Sequence, residues 1–172
     1  MDLKLGRRPN KTCAIDASAE HIRRRCVKTA LQTRFGYRVC GMQVWDSTKA
    51  TFRRFDKAYG VRLTPDAMTQ GEAFKTFWGA RGNCSARVQV IEHFLPPLRA
   101  LLEWFKTQTW FCFRGTSILM VYEGDITQPV AATVRLIDFA HVAFGLAKRD
   151  TQCMEGLQNI VSTTEKILRA FQ

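Results

Sequence analysis

At 172 residues and 46% apolar, the chain is long enough for one domain with a sizeable core and too short for two ordinary ones. No run approaches the ~18 to 20 apolar residues of a bilayer-spanning helix, and the six cysteines are scattered without a C-x-x-C pair, which argues against a zinc ribbon or a small disulfide framework. The formal net charge of +11 favours anionic partners. It is unevenly placed, because residues 1–57 hold 14 of the 26 Lys and Arg but only 5 of the 15 Asp and Glu, so the anion is expected to meet the N-terminal third.

In chain order, Asp2-Leu3-Lys4-Leu5 alternates polar and apolar, which predicts a strand with Asp2 and Lys4 on one face and Leu3 and Leu5 on the other. A polar stretch with Pro9 reads as a loop, and a helix is expected from Asp16 or Ser18 to about Thr33. At helical spacing Ile22, Cys26 and Ala30 form an apolar stripe, while His21, Arg24, Arg25 and Lys28 gather on a neighbouring, strongly cationic sector. Residues 37–45 and 51–56 read as a hairpin, with Lys57 just past its end. Thr64-Pro65 supplies a hydroxyl cap and a first-turn proline for a helix reaching about Trp78.

Pro96-Pro97 predicts two helical segments with a break between residues 85 and 106, since the second proline removes a donor and restrains the residue before it. Residues 110–122 read as two strands bent at Gly115, and 133–138 as another strand. Met154, Leu157, Val161, Thr164, Leu168 and Phe171 repeat at helical spacing in the last segment. The sum is an α+β domain with an antiparallel sheet and packed helices. Without an apolar segment after its basic N-terminal residues, the protein is expected to be soluble and to work in the cytoplasm, the nucleus or both.

A carboxylate beside an ammonium on one strand face suits a phosphorylated alcohol, and Asp138, delivered at the end of a buried strand, suits a metal-binding carboxylate in phosphoryl transfer. The strings Asp2-Leu3-Lys4-Leu5-Gly6, Thr116-Ser117-Ile118-Leu119 and Ile137-Asp138-Phe139-Ala140-His141, in this order, resemble the inositol polyphosphate kinase family. Its hallmarks are a P-x-x-x-D-x-K-x-G motif, an S-S-L-L-like strand and an I-D-F-A-H box. Gly36 to Val44, Asp56 to Gly60 and Gly156-Leu157 extend the resemblance over essentially the whole chain, and the spacing from Ala17 to Tyr59 is similar to the multikinase branch.

The resemblance implies a kinase that moves the γ-phosphate of ATP to an inositol phosphate with Mg²⁺. Asp138 would bind the metal, Asp2 would orient or accept the proton of the inositol hydroxyl, and Lys4 would steady the phosphates. Ser117 would lie near the nucleotide phosphates or metal, and His21, Arg24, Arg25, Lys28, Gln43, Lys57 and His141 would hold substrate. Departures are Thr116 for a serine, His21 for a frequent lysine, and Thr151 to Met154 where a glycine and tyrosine follow Asp150. The family's enzymes carry a nucleotide-binding lobe ahead of the D-x-K-x-G motif, so residues 1–172 are expected to equal the C-terminal catalytic lobe alone. The alternatives are a truncated or inactive inositol-phosphate-binding module and a basic nucleic-acid-binding protein, although no zinc-finger spacing or RNA-recognition aromatic motif is present.

Overall fold

A computed structural model describes residues 1–7, 18–145 and 147–172, without the side chains at 21–25 and 28. Seven strands and six α-helices alternate irregularly along these residues: β1 (Asp2–Leu5), α1 (Ala19–Phe35), β2 (Tyr37–Asp46), β3 (Thr51–Phe55), α2 (Lys57–Arg62), α3 (Pro65–Gln70), α4 (Glu72–Trp78), α5 (Cys84–Thr107), β4 (Phe111–Phe113), β5 (Ser117–Tyr122), β6 (Ala132–Ile137), β7 (Val142–Phe144) and α6 (Thr151–Phe171). The fold is α+β. Five strands make an antiparallel sheet in the order β3-β2-β1-β5-β6, and β4 pairs with β7 in a separate two-stranded sheet.

Strand alternation divides the large sheet, with β2 changing parity between Val39 and Met42. Leu3, Leu5, Tyr37, Val39, Ile118, Met120 and Val134 are buried and join Phe74, Trp78, Ile91, Phe94, Leu98, Phe105, Leu157 and Ile160 from α4, α5 and α6 in one core. Desolvation there pushes the Tyr37 hydroxyl up to about 12 and raises the Cys153 thiol well above its ordinary value. Residues of opposite parity face away from the helices. Across the sheet, Lys4 pairs with Arg38 on one side and Ser117 on the other, and Ser117 with Ile137; one repeat along, Asp2 pairs with Leu119 and Leu119 with Arg135.

Local chemistry sets the element ends. Asp56, Thr64, Asn83 and Asp150 cap α2, α3, α5 and α6 by accepting from backbone N–H groups in the first turn. The other Asp150 oxygen accepts from Phe113 N at 2.6 Å, so one carboxylate fixes both the start of α6 and the small sheet. Gly156 lets α6 touch the α1–β2 turn: a Cβ there would stand 2.1 Å from the Gly36 carbonyl oxygen, which itself accepts from Gly6 N at the end of β1.

Two expectations are corrected. α5 runs unbroken through Pro96 and Pro97. Val90, Ile91, Phe94 and Leu95 before the prolines and Leu98, Leu102 and Phe105 after them are buried on one stripe, and a break would pull half of it from the core. Burying each such side chain is worth about 1.5 to 3 kcal/mol, more in sum than the roughly 3 kcal/mol cost of an interior proline. The helix expected over 64–78 is instead split at Gly71, whose left-handed conformation (φ 67°) ends α3 and turns the chain into α4. The gathered cations His21, Arg24, Arg25 and Lys28 and the loop with Pro9 lie outside the described residues, except that α1 carries the four cations on its backbone. All five described cysteines are free thiols, and no helix among the described residues is long and apolar enough to cross a membrane.

Candidate active site

The β1 and β5 strands and the turn after β6 bring together Lys4, Ser117 and Asp138 of the sequence-predicted residues. Lys4 Nζ donates to Asp138 Oδ2 at 2.6 Å and to the Gly115 carbonyl at 2.6 Å. Asp138 stands one residue beyond β6 in a left-handed conformation (φ 67°), which an aspartate tolerates better than most residues. Thr116 Oγ1 donates to the Asp138 carbonyl at 3.2 Å, and Ser117 Oγ reaches its Oδ2 at 3.4 Å. Hydrogen bonding from Lys4, supported by its charge and by Ser117, holds the Asp138 carboxyl below its usual range. The Lys4 side chain is 19% exposed and that of Asp138 51%. An ion pair this exposed contributes at most about 1 kcal/mol to stability, so the arrangement is better matched to chemistry than to holding the fold.

Lys4 has a second cation beside it that sequence reasoning missed. Its β2 neighbour Arg38 donates from Nε to Gln32 Oε1 at 2.9 Å, while buried Gln32 spends its amide hydrogens on the carbonyls of Gly6 and Leu5. Arg38 Nη1 is buried without a partner among the described residues. Arg38 stands opposite Lys4 in the regular part of the β1–β2 register, whereas an irregularity between Asp2 and Leu3 sets Asp2 opposite Gly41; the pairing of two separate strands is not disclosed by either strand's own pattern.

Asp2, two residues before Lys4 on β1, makes no bond to the Lys4–Asp138 pair. Its Oδ1 is buried and accepts no hydrogen bond among the described residues, and it lines a cavity of about 880 Å³ bounded mainly by apolar groups, among them Met42, Trp45, Phe55, Leu119 and Val121. Gln43 and Arg54, paired across the β2–β3 hairpin, stand on the same cavity's wall. The far wall is the segment between β5 and β6, gathered by Arg81. That side chain, 4% exposed, donates to the carbonyls of Glu123 (3.1 Å), Asp125 (2.8 Å) and Gln128 (3.3 Å). The Tyr122 hydroxyl, below, donates to the Phe77 carbonyl.

The geometry thus joins Lys4, Ser117 and Asp138 in one group and Asp2 and Gln43 around one cavity. Lys57 begins α2 and His141 precedes β7; both are exposed, and neither side chain bonds to another described residue. No group of three or more His, Cys, Asp or Glu side chains among the described residues could enclose a metal by itself. A single carboxylate with a nearby hydroxyl does fit Mg²⁺, which keeps several waters and takes one or two protein carboxylates plus substrate phosphates.

The family model for inositol polyphosphate kinase matches residues 1–165. Inositol hexakisphosphate kinase 3 of Mus musculus is 32% identical over 160 residues, which cover 84% of this chain and 39% of that protein. Inositol polyphosphate multikinase beta of Arabidopsis thaliana is 30% identical over 194 residues, covering 100% of this chain and 63% of the relative. The chain therefore spans roughly two fifths to just under two thirds of these curated relatives. A solved inositol phosphate multikinase superposes with a TM-score of 0.71 at 27% identity, over 97% of this chain and 78% of the other. The inositol phosphate multikinase Ipk2 from S. cerevisiae, solved with ADP and Mn²⁺, gives a TM-score of 0.77 at 20% identity over 97% and 77%, a likeness of fold. A match along nearly all of its length, on a fold that sets the D-x-K-x-G lysine against the I-D-F-A-H aspartate, makes this chain a member of the inositol polyphosphate kinase family.

Proposed function

We propose that the chain transfers the terminal phosphoryl group of ATP to a hydroxyl of an inositol phosphate. The observation that carries this reading is the contact between Lys4 and Asp138, made across 134 residues of sequence on the open face of the sheet. Phosphoryl transfer asks a protein chiefly for positioning and for charge around the moving group. Asp138, held ionised by Lys4, is the carboxylate that would hold a divalent cation, with Ser117 beside it; Mg²⁺ there would supply positive charge to offset that of the phosphates. Lys4 and Arg38 supply fixed cations for phosphates, and the cations of α1, His21, Arg24, Arg25 and Lys28, together with Gln43, Lys57 and His141, extend substrate binding. Asp2, with its free acceptor, takes a hydroxyl hydrogen bond and orients the attacking group. The base of the nucleotide rests in the apolar cavity by Leu119 and Val121.

The yeast relative's ADP and Mn²⁺ agree with a nucleotide and a divalent cation as ligands. A reducing, cytoplasmic or nuclear setting fits free thiols at all five described cysteines. The test is turnover of Mg-ATP with a panel of inositol phosphates, alongside calorimetric binding of the same compounds. Asp138→Asn should keep its fold, because asparagine accepts a left-handed backbone, and should lose at least about a hundredfold in kcat while still binding inositol phosphate. Unchanged turnover would remove Asp138 from the mechanism. Tight inositol phosphate binding by the parent chain without turnover would favour a binding module.

A further inference from the structure

Beyond the reaction, the small sheet carries a surface that the catalytic reading does not use. Phe111 and Phe144 are register partners on β4 and β7, and Phe113 two residues on is buried against Trp104 and Phe105. The aromatic row therefore starts in the core and ends in solvent. At its outer end Phe144 is 72% exposed and Trp110 is 68% exposed, with Phe111 stacked on the half-exposed Trp104. Backbone bonds hold the tip in shape: Gly145 N donates to the Trp110 carbonyl and Lys148 N to the Thr109 carbonyl, both at 3.0 Å.

Large aromatics this exposed, gathered at one tip, mark a contact surface rather than scattered surface residues. The charges beside them say of what kind. Arg114 follows β4, and Lys148 and Arg149 follow β7; all three are exposed, and none forms an ion pair among the described residues. The nearby acids are engaged: Asp150 caps α6, Asp138 holds Lys4 and Glu103 holds Lys106. Tryptophan and phenylalanine at a tip with unpaired cations around it match the boundary of an anionic bilayer, where rings settle at headgroup depth and cations meet lipid phosphates. A second copy of this chain is a poor occupant, since each copy brings a net +11 and the same cationic rim.

We propose that the Trp110–Phe144 tip docks the protein on anionic lipid surfaces. Docking there places Phe139 and the Asp138 turn near the membrane, because Phe139 packs on Phe113 at the inner end of the same row. The test is co-sedimentation with phosphatidylcholine vesicles, with and without phosphatidylserine, while following tryptophan emission. The parent chain should bind the phosphatidylserine vesicles, with a blue-shifted emission, and should not bind phosphatidylcholine alone. Trp110→Ser with Phe144→Ser should weaken binding about tenfold or more, with an unchanged circular dichroism spectrum. If that variant misfolds, Lys148→Glu with Arg149→Glu serves instead, losing roughly fivefold per cation removed. Absence of parent binding, equal binding to neutral vesicles, or full binding by the folded variants would overturn the proposal.

Discussion

Asp138 has its conformation, its charge and its partners set by three different neighbours: the turn after β6, Lys4, and the hydroxyls of Thr116 and Ser117. A carboxyl held below its ordinary value adds stability that is fully present above the unfolded value of about 4 and disappears as pH falls through the lowered native value. From about pH 5 upward the pair should therefore add no pH dependence. Lys4→Met should bring the Asp138 carboxyl back toward its ordinary range, and the acid limb of the pH–rate profile should move to higher pH. An acid limb that stays in place would detach Lys4 from Asp138. Arg81 makes the opposite kind of contact, buried and directed wholly at backbone. Arg81→Ala should cost about 2 to 4 kcal/mol in urea unfolding, because three carbonyls lose a charged donor. Lys at this position should recover only part of that, since an ammonium cannot reproduce the guanidinium fork.

At the scale of elements, alternation, turn residues, β-branched and aromatic runs and helical spacing made β1, the β2–β3 hairpin, the bend at Gly115, β6 and α6 readable in the sequence, and with them the positions of Lys4 and Asp138. What escaped was decided by distant contacts. Local rules break α5 at Pro96-Pro97, yet the buried stripe on both sides overrides them. Pro96 is exposed, so Pro96→Ala should restore a donor for the Glu92 carbonyl without loss of packing. We expect a net gain of about 1 kcal/mol, the hydrogen bond and relief of strain being offset in part by a freer unfolded chain; a lower melting temperature would show that the ring packs in place. β4 pairs with β7, a three-residue strand too short to announce itself, and Arg38 entered the site only through the pairing of β2 with β1. Gly156→Ala drives a methyl into the Gly36 backbone and should cost about 3 kcal/mol or more. Gly79→Ala meets nothing within 4 Å and should stay within about 0.5 kcal/mol of the parent, a matched control in the same melt.

Across the whole molecule, the sheet order places the most distant segments of sequence side by side. β1 lies at its centre, between β2 and β5, with its other face on a core supplied largely by α4, α5 and α6. Lys4 of β1 and the Asp138 turn after β6 thus meet across the sheet. The contact of Gly36 with Gly156 also ties the end of β1 to the last helix through Gly6. During synthesis β1 leaves the ribosome more than a hundred residues ahead of β5, so it must wait, unpaired on one edge, until its partner and then α6 emerge. Such long-range closure slows folding. The face that carries Lys4 and Asp138 is therefore assembled late, and a ribosome stalled before Gly156 would hold a chain that already contains Asp2, Lys4 and Asp138 but lacks the helix that locks β1 in place.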